Sequence, residues 1–157
     1  MNRCFSLWKI DVKPKYTLLY QINKWSDFQA ALSYLPNLEK GYAFEDLVFL
    51  SLQIHSRDTT KYRQVWKIRR TSRSQDSVPV NVRKKLNLPE PDLGIDLLAE
   101  TFDGEYHAIQ CKYHSNPEDS VALSEITQGV SLAFSHCKGI SHFILATSGG
   151  SVEKAQD

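Results

Sequence analysis

Asp92-Leu-Gly-Ile-Asp96-Leu-Leu-Ala-Glu-Thr-Phe-Asp-Gly-Glu-Tyr-His-Ala-Ile-Gln110-Cys-Lys112 carries the pattern of a β-hairpin. Two runs rich in branched and aromatic residues, Ile95 to Phe102 and Glu105 to Lys112, flank Asp103-Gly104. An Asp-Gly pair between such runs is a strong local hairpin signal. The polar residues inside the runs are unusually placed. Strand side chains alternate faces, so Gln110 and Lys112 share one face of the second run, with Ile109 and Cys111 on the other. On the first run Ile95, Leu97 and Ala99 form the apolar face and Asp96 lies opposite them. A two-residue turn at Asp103-Gly104 would pair Phe102 with Glu105, set Asp96 across from Cys111 and put the apolar faces out of phase. We therefore expect a three-residue loop or a glycine bulge, which shifts the register by one. That register brings a carboxylate (Asp96), an amide oxygen (Gln110) and an ammonium (Lys112) together at one end of the hairpin.

Upstream, Ser26 is a good N-cap for a short helix to Leu35, with Phe28, Ala31, Leu32 and Leu35 at helical spacing and Pro36 ending it. Asn37 can cap a second helix to about Ile54, apolar over most of its surface and so expected to be well buried. Glu45 is then a carboxylate on a mostly apolar helix, and taken alone it reads as a partly exposed helix charge paired with a base. Gly41, one turn earlier, would let this helix approach the sheet closely. Tyr62 to Ile68 reads as the first core strand, with Tyr62, Gln64, Trp66 and Ile68 on one face. Arg69 to Val78 lacks apolar periodicity and reads as a surface loop, Val80 to Leu86 as a short helix, and Pro89 and Pro91 as an extended lead into the hairpin. Downstream, Pro117-Glu118-Asp119-Ser120 opens a helix whose buried stripe is Leu123, Ile126, Val130, Ala133, Phe134 and Cys137, with Gln128 off that stripe. Ser141 to Thr147 reads as a strand parallel to its predecessor across the helix crossover. Ser151 reads as the N-cap of a further helix. Residues 1–24 read as an N-terminal arm or added strands, and residues 25–157 as the main domain.

A chain of 157 residues is the usual size of one domain, with ordinary apolar and charged fractions. Three cysteines with no CxxC pair argue for a reducing compartment rather than a disulfide framework. Cys111 and His114 with His136 and Cys137 fit the spacing rules for zinc poorly. No apolar run has the length of a membrane span or of a signal-peptide core, so the cytoplasm is the expected location. Charge is blocked. Lys61 to Lys85 holds nine basic residues and one acidic one, while Leu86 to Glu105 holds six acidic residues and no basic one. A charge run is usually a solvated face, but beside the Asp96 hairpin it hints at a polyanion surface next to a cation site. Arg69, Arg70 and Arg73, with Lys84 and Lys85, are the phosphate-contact candidates, since guanidinium pairs bidentately with phosphate oxygens. The turn Thr147-Ser148-Gly-Gly150 adds backbone N–H groups that could face a phosphate, although as a plain strand–helix loop it needs no function.

These residues resemble the PD-(D/E)xK nuclease superfamily, and within it the Mrr-like branch. Asp92-Leu-Gly-Ile-Asp96 is similar to that branch's Asp-x-Gly-x-Asp signature, Gln110-Cys-Lys112 to its Gln-x-Lys, and Gly41-Tyr-Ala-Phe-Glu45 to its upstream Gly-x-x-Phe-Glu. The resemblance covers roughly residues 37 to 150. It implies an α/β, restriction-endonuclease-like fold with a central mixed β-sheet flanked by helices. It implies a Mg²⁺-dependent DNA endonuclease, with Mn²⁺ as a substitute, in a restriction or DNA-processing system. Asp96, the Gln110 amide oxygen and the Cys111 backbone carbonyl would hold the ion, Glu45 would hold a metal-bound water, and Lys112 would orient or help deprotonate the attacking water. Glutamine in place of the commoner glutamate removes one negative charge from the metal site and predicts weaker metal binding. A helix and commonly a further strand follow in related nucleases, so the chain is expected to be part of a longer protein with helicase or specificity domains. Double-strand cleavage would need two such sites, which points to a homodimer. The rival reading is a catalytically inactive nuclease-fold module that binds DNA or a partner. For Asp96 and Lys112 the plain reading is a hairpin salt bridge, worth little when exposed.

Overall fold

Two strands rich in branched and aromatic residues, β2 (Leu97–Thr101) and β3 (Tyr106–Lys112), form the hairpin at the centre of the sheet. The protein is described by a computed structural model at residues 22–59, 61–68, 77–89 and 94–152. Thr101 N donates to Glu105 O at 2.9 Å and Gly104 N to Thr101 O at 3.1 Å, so Phe102, Asp103 and Gly104 make a three-residue loop. Gly104 takes φ +82°, a left-handed conformation that an L side chain resists. The register is Leu97 with Ile109, Leu98 with Ala108, Ala99 with His107 and Glu100 with Tyr106. This is the one-residue shift expected from the apolar pattern.

β1 (Tyr62–Lys67) pairs antiparallel with the other edge of β2. The pairing slips by one between Tyr62 and Gln64. This irregularity moves Tyr62 to the opposite face from Trp66 and Ile68, correcting the expectation that the three share one face. After a helical crossover, β5 (Ile140–Thr147) lies parallel to β3, which makes the sheet mixed, in the order β1-β2-β3-β5. Helices cover both sides. On one side Val48, Phe49 and Leu52 of α2 (Asn37–Thr59) pack on Tyr62, Val65, Leu97, Ala99 and Ile109. On the other, Val82 and Leu86 of α3 (Val80–Leu86), with Leu132, Ala133 and Cys137, pack on Trp66, Leu98 and Ala108. Every residue of β2 is buried, and Leu97 and Leu98 fill the two cores with no exposed area. Each such leucine contributes on the order of 2 kcal/mol of apolar burial. The chain therefore has the restriction-endonuclease-like architecture of a mixed sheet flanked by helices.

The chain divides into two compact units, residues 1–35 and residues 36–157. In the first, α1 (Trp25–Leu32) buries Phe28 and Leu32 and starts one residue before Ser26, which does not cap it. In the second, α2 continues past Ile54 to Thr59. Its burial is concentrated at Phe44, Glu45 and Asp46, whereas Leu38 and Ile54 are exposed. Among the described residues nothing lies within 4 Å of where a Gly41 side chain would begin, so this glycine makes no close approach to the sheet. After β3, Ser120 and Val121 form a short strand, β4, and α4 starts only at Leu123 (Leu123–Ser131). The Glu125 carboxylate accepts from Ala122 N at 3.0 Å and closes its first turn. Leu132–His136 then winds as a π-helical turn. The wider turn changes the phase of the apolar stripe beyond α4: Leu132, Ala133 and Cys137 are buried, while Phe134 is exposed. Ser151 begins no helix. Ser151 and Val152 form β6, parallel to β4, because Gly149 and Gly150 run close against the Asp119 and Pro117 carbonyls, where a side chain would clash.

Candidate active site

The β2–β3 ladder opens at Asp96. The paired register ends at Leu97–Ile109, and Ile95 falls on the opposite face from Leu97 and Ala99, not on the one face expected for the three. A continued ladder would give the Cys111 N–H to the Ile95 carbonyl. It donates instead to Asp96 Oδ2 at 2.5 Å, while Asp96 N donates to Ile109 O at 2.9 Å. A carboxylate thus replaces a main-chain acceptor at the point where the strands part. Asp96 is only 6% exposed, and a charge so enclosed needs strong partners. The hydrogen bond from Cys111 fixes the carboxylate's orientation.

Gln110 is 5% exposed. Its Nε2 donates to the Glu125 carbonyl at 3.4 Å, but its Oε1 is buried without a hydrogen-bond partner among the described residues. Buried amide oxygens are nearly always satisfied, so an orphan here calls for a donor or a cation. Two glycines create the space around this amide. Gly94, at φ +108°, would place a Cβ 3.1 Å from Gly129 and 3.4 Å from Gln110 Nε2. A Cβ on Gly129 would meet the Gly94 carbonyl at 2.4 Å. Helix α4 therefore lies backbone to backbone against the chain entering β2. Lys112, half-buried, ends β3 with Thr147 of β5 as its register neighbour.

Helix α2 reaches this end of β3. Phe44 packs its ring 5.8 Å from that of Tyr113, the residue after Lys112. The next two residues, Glu45 and Asp46, are 5% and 3% exposed. Glu45 is therefore not a surface helix charge. Asp46 is ion-paired with Lys67 of β1, whose ammonium also lies 5.5 Å from the Phe49 ring centre. That pair was not legible in the sequence, because it depends on how α2 is set on β1.

The basic candidates are distributed differently. Arg69, Arg70 and Arg73, like Asp92, lie outside the described residues. Lys84 and Lys85 are exposed on α3. Lys85 Nζ sits 4.7 Å over the Tyr106 ring, at the end of β3 remote from Gln110 and Lys112. The Ser148 hydroxyl accepts from His114 N at 2.7 Å and donates to His114 O at 3.0 Å. Ser148, Gly149 and Gly150 N–H bond Lys112 O, Thr147 Oγ1 and Asp119 O. The turn's donors thus brace the loop after Lys112. Gln128 is exposed on α4, beside Pro89 in an open groove.

One cluster escaped the sequence reading. Glu105, His107 and His142 bring potential metal-ligating atoms within 4.8 Å of one another. Only the β3–β5 register, which sets His107 beside His142, reveals it. Cys111 and Cys137 serve opposite faces of the sheet and form no shared site.

A family model described as a restriction endonuclease, of the Mrr type, matches residues 54–156, more than half of the chain. No curated protein and no solved structure matches. Among the described residues no helix is long and apolar enough to cross a membrane.

Proposed function

The chain belongs to the Mrr-type restriction endonuclease family, and from that premise we propose that it hydrolyses DNA phosphodiester bonds with a divalent cation at Asp96 and Gln110. The observation that carries this reading is the unpartnered Gln110 Oε1, buried where the Asp96 carboxylate parts β2 from β3. Carboxylate, amide and carbonyl oxygens are the donor set that Mg²⁺ prefers. In this reading Asp96, Gln110 Oε1 and the Cys111 carbonyl hold Mg²⁺, for which Mn²⁺ substitutes. Once bound, the ion supplies Lewis-acid stabilisation of charge on the phosphoryl oxygens.

The chain's own groups do the rest. Lys112 neutralises the phosphate and orients the attacking water. Glu45, buried on α2, holds a water by accepting its proton in a hydrogen bond. Gly94 and Gly129 keep the space around the Gln110 amide free of side chains. The basic stretch from Lys61 to Lys85, including Arg69, Arg70, Arg73, Lys84 and Lys85, supplies the countercharge for the DNA backbone.

Plasmid nicking by the purified chain, in Mg²⁺, Mn²⁺ or EDTA, tests the reading. Cutting should need metal and should fall at least about a hundredfold in Asp96→Ala and in Lys112→Ala, the usual scale for removing one group that stabilises transition-state charge. Folded wild-type protein that shifts DNA in a gel but cuts in no metal would replace this reading with the DNA-binding module.

A further inference from the structure

At the other end of β3 the hairpin presents a second set of ligating atoms, on different chemistry. His107 is only 6% exposed, and its Nε2 has no hydrogen-bond partner among the described residues. The Glu105 carboxylate approaches Nε2 at 3.7 Å, beyond hydrogen-bond range. His142, the register neighbour of His107 on β5, lies against it with ring centres 4.5 Å apart and planes tilted by 52°. The three ligating atoms lie within 4.8 Å of one another, close enough for a single ion to draw them together. The far side of each imidazole is already engaged. Tyr62 Oη lies 3.0 Å from His107 Nδ1, and Ser141 Oγ lies 3.1 Å from His142 Nδ1. With each hydroxyl accepting from Nδ1–H, Nε2 keeps its lone pair for a metal. We propose that Glu105, His107 and His142 form a site for a Zn²⁺-class transition-metal ion, separate from the nuclease centre.

Ligand type separates the two sites. Asp96 and Gln110 offer hard oxygens, whereas two imidazoles and a carboxylate suit zinc, with a fourth position open to water. Position separates them too. His107 and Gln110 fall on opposite faces of β3, three residues and so about 10 Å apart along the strand. Burial foremost, and then the neighbouring His142, hold the His107 imidazole below its usual pKa of 6.5, so it is neutral at pH 7 as a ligand must be. Glu105 and His142 are exposed, so an ion has access without unfolding the core. Bound there, zinc ties the turn end of the hairpin to the parallel strand β5, which joins the sheet only after the helical crossover. This inference does not depend on the nuclease reading.

The test is isothermal titration of the chelator-stripped chain with Zn²⁺, alongside Glu105→Gln, His142→Ala and Asp96→Ala, with far-UV dichroism to verify folding. Both substituted ligands are exposed, so these variants should fold. One Zn²⁺ ion should bind the wild type, and each of Glu105→Gln and His142→Ala should weaken binding at least tenfold. Asp96→Ala should bind as the wild type does. Co²⁺ in place of Zn²⁺ should give the intense visible absorption of a tetrahedral site, lost in His142→Ala. Absence of Zn²⁺ binding by the wild type, undiminished binding in both ligand variants, or loss of binding in folded Asp96→Ala would overturn the proposal.

Discussion

Gln110 concentrates the chemistry of the proposed nuclease site in one uncharged group. Its amide oxygen is sealed from water and has no hydrogen-bond partner among the described residues. Gln110→Glu adds a negative charge beside Asp96. Without a cation that charge is buried next to another carboxylate, which should raise the pKa of the pair and lower the metal-free melting temperature. With a cation the same charge is favourable, so the metal concentration for half-maximal cleavage should fall about tenfold, equivalent to about 1.4 kcal/mol. Thermal melts with and without Mg²⁺, beside nicking assays across a Mg²⁺ series, would check both halves; equal shifts in the two melts would count against Gln110 as a ligand. The three-residue loop and the register of β2 on β3 could be read from the sequence because strand alternation and apolar matching are local rules. The burial of Glu45 could not, because exposure of a helix carboxylate depends on what the helix lands on.

Among the elements, the hairpin loop and α4 make separable predictions. The loop holds three residues, yet Thr101 and Glu105 are already paired by the Thr101 N to Glu105 O bond of 2.9 Å. Deleting Phe102, which is 56% exposed, leaves a two-residue Asp103-Gly104 turn between the same partners. The register and the cooperative melt should both survive, as would nicking. Loss of folding would mean that Phe102 does more than complete the loop. Gly129→Ala should behave oppositely. Its Cβ meets the Gly94 carbonyl at 2.4 Å and the Phe143 ring at 2.9 Å, so α4 must move off the chain entering β2. A loss of about 1–3 kcal/mol is expected in urea unfolding, with lowered activity, because the Gln110 amide leans on the same helix. The apolar period located α4, but it could not anticipate the π-helical turn that rotates Phe134 outward. A single wide turn leaves no compositional mark.

Residues 36–157 form a mixed sheet between two apolar layers, and their stability has an alkaline limit set partly by one thiol. Cys137 lies in the layer under α3 and the π-helical turn, where burial pushes its pKa above the ordinary 9.0. The unfolded chain ionises this thiol near 9.0 while the folded chain keeps it protonated. Its contribution is therefore complete below pH 9 and is lost as pH rises through the folded value. Denaturation curves of wild type and Cys137→Ala should converge as pH climbs past 9, and parallel curves would contradict the burial argument. At this scale the sequence was informative where order decides topology. Helix, hairpin, helix and strand led correctly to the parallel pairing of β5 with β3. It was silent on which residues that pairing brings abreast, because the crossover sets the register through its packing rather than its length. His107 and His142 are therefore neighbours that only the folded chain discloses.

The carboxylate of Asp96 holding the Cys111 N–H at 2.5 Å gives the proposed metal site an observable of its own. A main-chain proton bound to an anion resonates far downfield and exchanges slowly with solvent. A cation drawing electron density from the same carboxylate weakens that bond, so the Cys111 amide should move upfield through a Mg²⁺ titration. Its deuterium exchange should quicken, while the Leu97–Ile109 amides stay protected. The occupancy of the site could then be read from one backbone resonance, with no DNA present and no bond cut.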